Sequence, residues 1–267
     1  EIEAIFDGES GLESQRADEE FSFELANDAQ LQTAMETFCS TFGAELSDVF
    51  ADFGVNAPFI VDGDGLLGHC MEEATADPAL GSQPLHTLFL FLSYAHKLRE
   101  RDCRFRIVFF RELERLWEPA RRLVRTCVVA HLRRHTTLDV DEVGSLCSAD
   151  WQALLRSFSP SNIMTRVTWR AEDEGGDAAV LEMSARALAM QSILAGRSVL
   201  LLDEGVEFQG PRLRMFVMFH RPIANAPLLL QATEDRLAKT YEEAAARLRP
   251  AADAAHAARA AAAAAAA

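Results

Sequence analysis

The spacing of apolar positions changes several times along the chain, and each change marks an element. Leu31, Met35, Phe38, Phe42, Leu46, Val49, Phe50 and Phe53 recur with the roughly 3.6-residue period of an amphipathic helix. That pattern predicts a helix over 31–53, stopped by Gly54 and Pro58. In APFIVDGDGLL, residues 57–67, the run Phe59-Ile60-Val61 leads straight into carboxylates and glycines. This is the pattern of a buried parallel strand with a polar loop at its carboxyl end. A helix follows over 85–101 and a second strand, RFRIVFF, over 104–110. Residues 111–135 read as helical, with Pro119 kinking or dividing them. A short helix is expected at 151–158, an acidic loop around Gly175-Gly176 at 172–177, and a helix over 181–194 ending at Gly196. Two more strands, SVLLLD (198–203) and RLRMFVMF (212–219), complete the set.

Strands alternating with helices make this an α/β protein, with a central, mostly parallel sheet. Strands apolar on both faces require helices on both sides. The expected organisation is an acidic, irregular segment over 1–28, an α/β domain over 29–222 and a helical or linking segment over 223–267. The last part ends in an almost pure alanine, low-complexity stretch that carries no functional expectation.

Composition agrees with a globular domain, at 49% hydrophobic and 25% charged residues. The longest apolar runs, such as 199–202, are far too short to span a bilayer. No signal-peptide pattern opens the chain. It begins at Glu1 rather than Met, so part of a longer protein is expected. The five cysteines include no CxxC pair, which reads as reduced thiols in the cytosol or nucleus.

Charge is distributed unevenly. The net charge is −15, yet residues 97–134 hold twelve Lys/Arg against five Asp/Glu. Such an island is either a solvated helix face or a contact for RNA or an acidic partner. Arg99, Arg121, Arg122, Arg125, Arg133 and Arg134 are its candidate contacts.

Asp62 and Asp64 stand two apart after a strand, and Asp203 follows another. Clustered at one end of a sheet, such carboxylates are hard oxygen ligands for Mg²⁺ or Mn²⁺. With Glu112 they suit two-metal phosphodiester hydrolysis. The alternative is structural: Asp and Gly after a strand also make a turn and a helix N-cap. A haloacid-dehalogenase-type reading, which needs Thr or Val where Leu66 stands, fits poorly. VLLLDE (199–204) resembles a Walker B segment, but no GxxxxGK[ST] accompanies it, so no nucleotide motor is expected in these residues. His69, close after the acidic loop, is considered as a phosphate contact. His131 and His135, four apart, read as surface imidazoles.

The pairing of FIVDGDGLL (59–67) with FLSYAHKLRERDCRFRIVFFRE (91–112) resembles the N-terminal region of interferon-induced Ski2-like DExD/H-box RNA helicases and their fungal relatives. In that family a PIN-like fold precedes the helicase core. Asp62, Asp64 and Glu112 match its pattern, and VLLLDEG supplies Asp203 as the last acid. The resemblance is close over about 53–114. It implies a PIN-like three-layer fold, antiviral or translation-linked RNA work in the cytoplasm, and ATP binding and unwinding by a helicase core outside these residues. The expected role is an accessory scaffold that binds RNA or a partner. The alternative is a ribonuclease holding Mg²⁺ or Mn²⁺ on Asp62, Asp64 and Asp203. An acid on the middle strand is the missing part of the pattern, since only Asp139 or Asp141, on an expected loop, is available.

Overall fold

A computed structural model describes residues 28–73, 84–168, 178–223 and 226–265. Seven strands form one sheet: β1 (Glu45–Asp48), β2 (Phe59–Asp62), β3 (Phe105–Phe110), β4 (Val140–Val143), β5 (Asn162–Thr165), β6 (Ser198–Gln209) and β7 (Arg212–Met218). Their order is β1-β7-β6-β5-β2-β3-β4. Strands β2 to β6 are mutually parallel, and β7 and β1 extend the sheet in antiparallel pairings. From β2 the chain runs outward to β3 and β4, then returns to the other side of β2 for β5 and β6. The carboxyl end of β2 is therefore a topological switch point, where α/β folds open a crevice.

Alternation along the central strands sorts the side chains into two layers. Ile60, Val108, Phe110, Ile163, Val199 and Leu201 pack on one side. That side is covered by α1 (Asp28–Phe42), α7 (Ala149–Phe158), α8 (Ala178–Leu194) and α9 (Ala226–Ala265). Phe59, Val61, Ile107, Phe109, Met164, Leu200 and Leu202 face the other way, beneath α2 (Val49–Phe53), α3 (Gly63–Glu73), α4 (Pro84–Arg99) and α6 (Pro119–His135). Both faces of the sheet are thus buried, as the apolar strands required. Leu229, Leu237 and Tyr241 of α9 belong to the same core, and the Tyr241 hydroxyl donates to Ser184 Oγ at 2.9 Å.

Several elements differ from the sequence expectation. The helix expected over 31–53 is interrupted: Gly43 adopts φ +59 and closes α1, and β1 and α2 follow. The apolar positions after Gly43 keep a helical spacing, but the backbone hydrogen bonds of residues 45–48 go to β7 instead. Asp48 then caps α2, accepting from Phe50 N–H at 3.2 Å. Pro119 divides the next helical stretch into α5 (Arg111–Glu114) and α6, with the Glu118 carboxylate capping Ala120 and Arg121 N–H. Asp141, expected on a loop, lies on β4, and Asp139 stands just before it. The short β5, NIMT, was not expected at all, although it pairs with both β2 and β6 at the middle of the sheet.

The acidic segment over 1–28, apart from its last position, and the loop at 172–177 lie outside the described residues. Among the described residues no helix is long and apolar enough to cross a membrane. All five cysteines are unpaired.

Candidate functional site

Asp62 ends β2, and the chain turns at once into α3, so Asp64 lies in the first helical turn rather than on a loop. Two glycines make this turn possible. A Cβ on Gly63 would stand 2.7 Å from the Phe109 ring, and one on Gly65 would stand 2.5 Å from Asp62 Oδ2. Asp62 Oδ1 accepts from Asp64 N–H at 3.1 Å, and Oδ2 accepts from the Thr165 hydroxyl at 2.6 Å. The carboxylate therefore caps α3 and ties it to the end of β5. Burial, and then the neighbouring Asp64 charge, push the Asp62 carboxyl up to about 6. The hydrogen bonds from Thr165 and from Gly65 and Asp64 N–H oppose that shift.

Asp64 is engaged on both oxygens. Arg125, from α6, donates its Nε to Asp64 Oδ1 at 2.6 Å and its Nη2 to Oδ2 at 3.3 Å. Phe110 N–H donates to Oδ2 at 2.9 Å. The Arg125 and Asp64 side chains are each only 1% exposed. The guanidinium also reaches the Phe110 carbonyl at 3.0 Å and Glu114 at 3.1 Å, and lies 5.3 Å from the Phe109 ring centroid. Burial opposes the Arg125 cation, but the Asp64 and Glu114 carboxylates more than offset it, so its pKa stands above the ordinary arginine value. Arg125 thus supplies a positive charge to the buried carboxylates at the switch point.

The remaining expected ligands are directed elsewhere. Asp203 accepts from Val167 N–H at 2.9 Å and from Thr168 N–H and hydroxyl at 2.7 Å, binding the chain after β5 to β6. Glu112 is exposed at the start of α5, where its N–H donates to the Gly144 carbonyl at 3.1 Å. Arg166, nearly buried, pairs with Glu72 at 2.9 Å. Among the described residues no group of three His, Cys, Asp or Glu is placed to hold a metal. The carboxyl oxygens of Asp62, Asp64 and Asp203 already accept from N–H and O–H donors, and a guanidinium occupies the cation position beside Asp64. This donor set does not fit a divalent ion in the arrangement seen.

The other candidates are corrected in part. Arg125, expected at an RNA contact, is buried in the ion pair. The sequence carried a signal for this: Arg125 precedes Val128 by three positions and Leu132 by seven, so it falls on the inward stripe of α6. Arg99, Arg133 and Arg134 are exposed, and Arg121 and Arg122 half-buried. Of these, Arg133 is paired with Glu142, and Arg99 donates to Thr137 Oγ1 at 2.8 Å. His69 is half-buried and engaged within the fold: its Nε2 lies 2.9 Å from the Tyr94 hydroxyl, and burial lowers its pKa. Thr165 was missed in the sequence because β5 was.

Residues 29–243 match the model of the PIN-like domain of the ATP-dependent RNA helicase DDX60. The chain is also similar to the human "Probable ATP-dependent RNA helicase DDX60-like", at 32% identity over 120 residues. That alignment covers 44% of this chain and 7% of the human protein, so the chain spans a small part of its relative's length. No solved structure matches the chain significantly. The three-layer α/β sheet and the extent of the family match agree, and the chain belongs to the family of PIN-like domains found in DDX60-type RNA helicases.

Proposed function

We propose that this domain is a non-cleaving, RNA-binding accessory module of a large helicase. The observation that carries the reading is Arg125 buried against Asp64. A metal-dependent nuclease needs free carboxyl oxygens around its ions. Here an arginine bound to Asp64 takes up the charge and the oxygens. What remains for function is the exposed part of the basic island, in a chain otherwise strongly acidic. In this reading ATP binding and unwinding belong to a helicase core outside these residues, beside which the domain acts as a scaffold. The unpaired cysteines suit a reducing compartment, the cytoplasm.

The test is to incubate the chain with labelled single-stranded RNA and Mn²⁺, reading binding and RNA length together. Salt-sensitive binding with intact RNA supports the module. Cleavage that disappears in Asp62→Asn would replace it with the ribonuclease reading. Asp62→Asn is the better variant because it leaves the Arg125–Asp64 pair in place. Failure to bind RNA at low salt would remove the proposal.

A further inference from the structure

The buried Asp62–Asp64 cluster lies at the carboxyl ends of the parallel strands. An opening lies at their amino ends, on the far edge of the sheet. It is a cleft of about 330 Å³ between the end of α4, the starts of β3 and β4, and the end of α7. Arg99, Arg104 and Arg106 line it, together with Thr137, Asp139 and Phe158. Three arginines therefore gather around two carboxylates, Asp139 in the lining and Asp141 beside Arg106, in a chain with 41 acidic and 26 basic residues.

Uncharged partners help to hold these arginines in place. The guanidinium carbons of Arg104 and Arg106 each lie 5.4 Å from the Phe158 ring centroid. Arg99 is oriented by its bond to Thr137. Only Arg106 has an acidic partner, Asp141 at 3.1 Å; among the described residues Arg99 and Arg104 have none within ion-pair distance. A planar guanidinium offers paired donors that match phosphate oxygens, and ordering it beforehand lowers the entropy lost on binding.

We propose that this amino-edge cleft holds backbone phosphate of single-stranded RNA. The inference rests on the RNA-binding reading above and places the contact at the opposite end of the strands from Asp62 and Asp64. The cleft is the size of a small-molecule pocket, room for about a nucleotide unit and not for a duplex. It commits the site to Arg99, Arg104 and Arg106 rather than to the α6 arginines Arg121 and Arg122.

The experiment is an anisotropy titration of the chain with a fluorescein-labelled short oligouridylate, between about 50 and 200 mM salt. Arg104→Glu is expected to weaken binding about tenfold or more, and to flatten the salt dependence by about one phosphate contact. Arg104→Lys should fall between wild type and Arg104→Glu, because charge remains while the paired donors are lost. Lys239→Glu, on the exposed side of α9, is the control for net charge and should bind as wild type does. Arg104 is exposed, so an unchanged melting curve is expected and confirms folding of each variant.

If Arg104→Glu binds RNA normally while Arg121→Glu/Arg122→Glu does not, the cleft is overturned and the RNA-binding reading stands. If poly-glutamate displaces the RNA as readily as unlabelled RNA does, the cleft serves an acidic protein and the RNA assignment falls. If wild type binds no RNA at low salt, both fall together.

Discussion

Replacing Arg125 by Met tests the buried pair directly. Met keeps much of the aliphatic volume and removes the charge. The Asp64 carboxylate, 1% exposed, would then lose both guanidinium bonds and keep only Phe110 N–H. The Phe110 carbonyl would lose a donor as well. Leaving one member of a buried pair without its partner typically costs about 3–5 kcal/mol. The Glu114 contact adds little, because that side chain is 37% exposed and screened by water. The expected loss for Arg125→Met is therefore about 3–5 kcal/mol, enough to threaten a domain of ordinary marginal stability. Urea unfolding followed by circular dichroism reads it as a lower midpoint with an unchanged slope. The second arm is Arg125→Met/Asp64→Asn. Asn retains an acceptor for Phe110 N–H and removes the stranded charge, so the double variant should recover about 2 kcal/mol or more. A loss below about 1 kcal/mol in the single variant, or a double variant no more stable than the single, would refute the account of Arg125 as the structural cation beside Asp64.

Three further outcomes follow from the same geometry. Gly63→Ala places a Cβ 2.7 Å from the Phe109 ring, and urea unfolding should show a loss of about 1–3 kcal/mol from overpacking; an unchanged midpoint would mean that the ring moves freely. Asp62 is raised from the ordinary 3.8 to about 6, so the folded chain holds this proton more tightly than the unfolded one. Its contribution is full below about pH 4 and is lost as pH rises through about 6. Unfolding free energies across that window should fall with pH by roughly 2 kcal/mol more in wild type than in Asp62→Asn, and parallel curves would contradict the shift. Ending the chain at Ile223 removes Leu229, Leu237 and Tyr241 from the core; that fragment should lose its cooperative melt, whereas Tyr241→Phe, which forfeits only the bond to Ser184, should cost about 1 kcal/mol.

The reading of the acidic residues separates what periodicity can see from what it cannot. FIVD, RFRIVFF and SVLLLD were legible as strands because continuous apolar runs bounded by turn residues have few other solutions in a sheet covered on both sides. The division at Pro119 was legible because proline lacks the N–H that a helix interior needs. The strand at 162–165 was not, since its four residues show no apolar alternation and its burial comes from neighbours on both sides. The same blindness hid Thr165, and with it the bond that ties the Asp62 cap to β5, although the cap itself was among the sequence readings.

Sequence by itself determined the α/β class, the positions of the long apolar strands, the placement of Asp62 and Asp64 at a strand's carboxyl end, and the family to which the chain belongs. Those are properties of local spacing and of motif, and both are written linearly. Only the tertiary structure decided what the charges do. Arg125 and Asp64 are separated by 61 positions, and α6 brings the guanidinium onto the carboxylate. Arg104 and Phe158 likewise meet only because β3 begins and α7 ends at the same edge of the sheet. Charge pairing falls off within a few ångströms, so the difference between a metal ligand, a helix cap and a buried ion pair is a matter of distance in space that the order of residues does not contain.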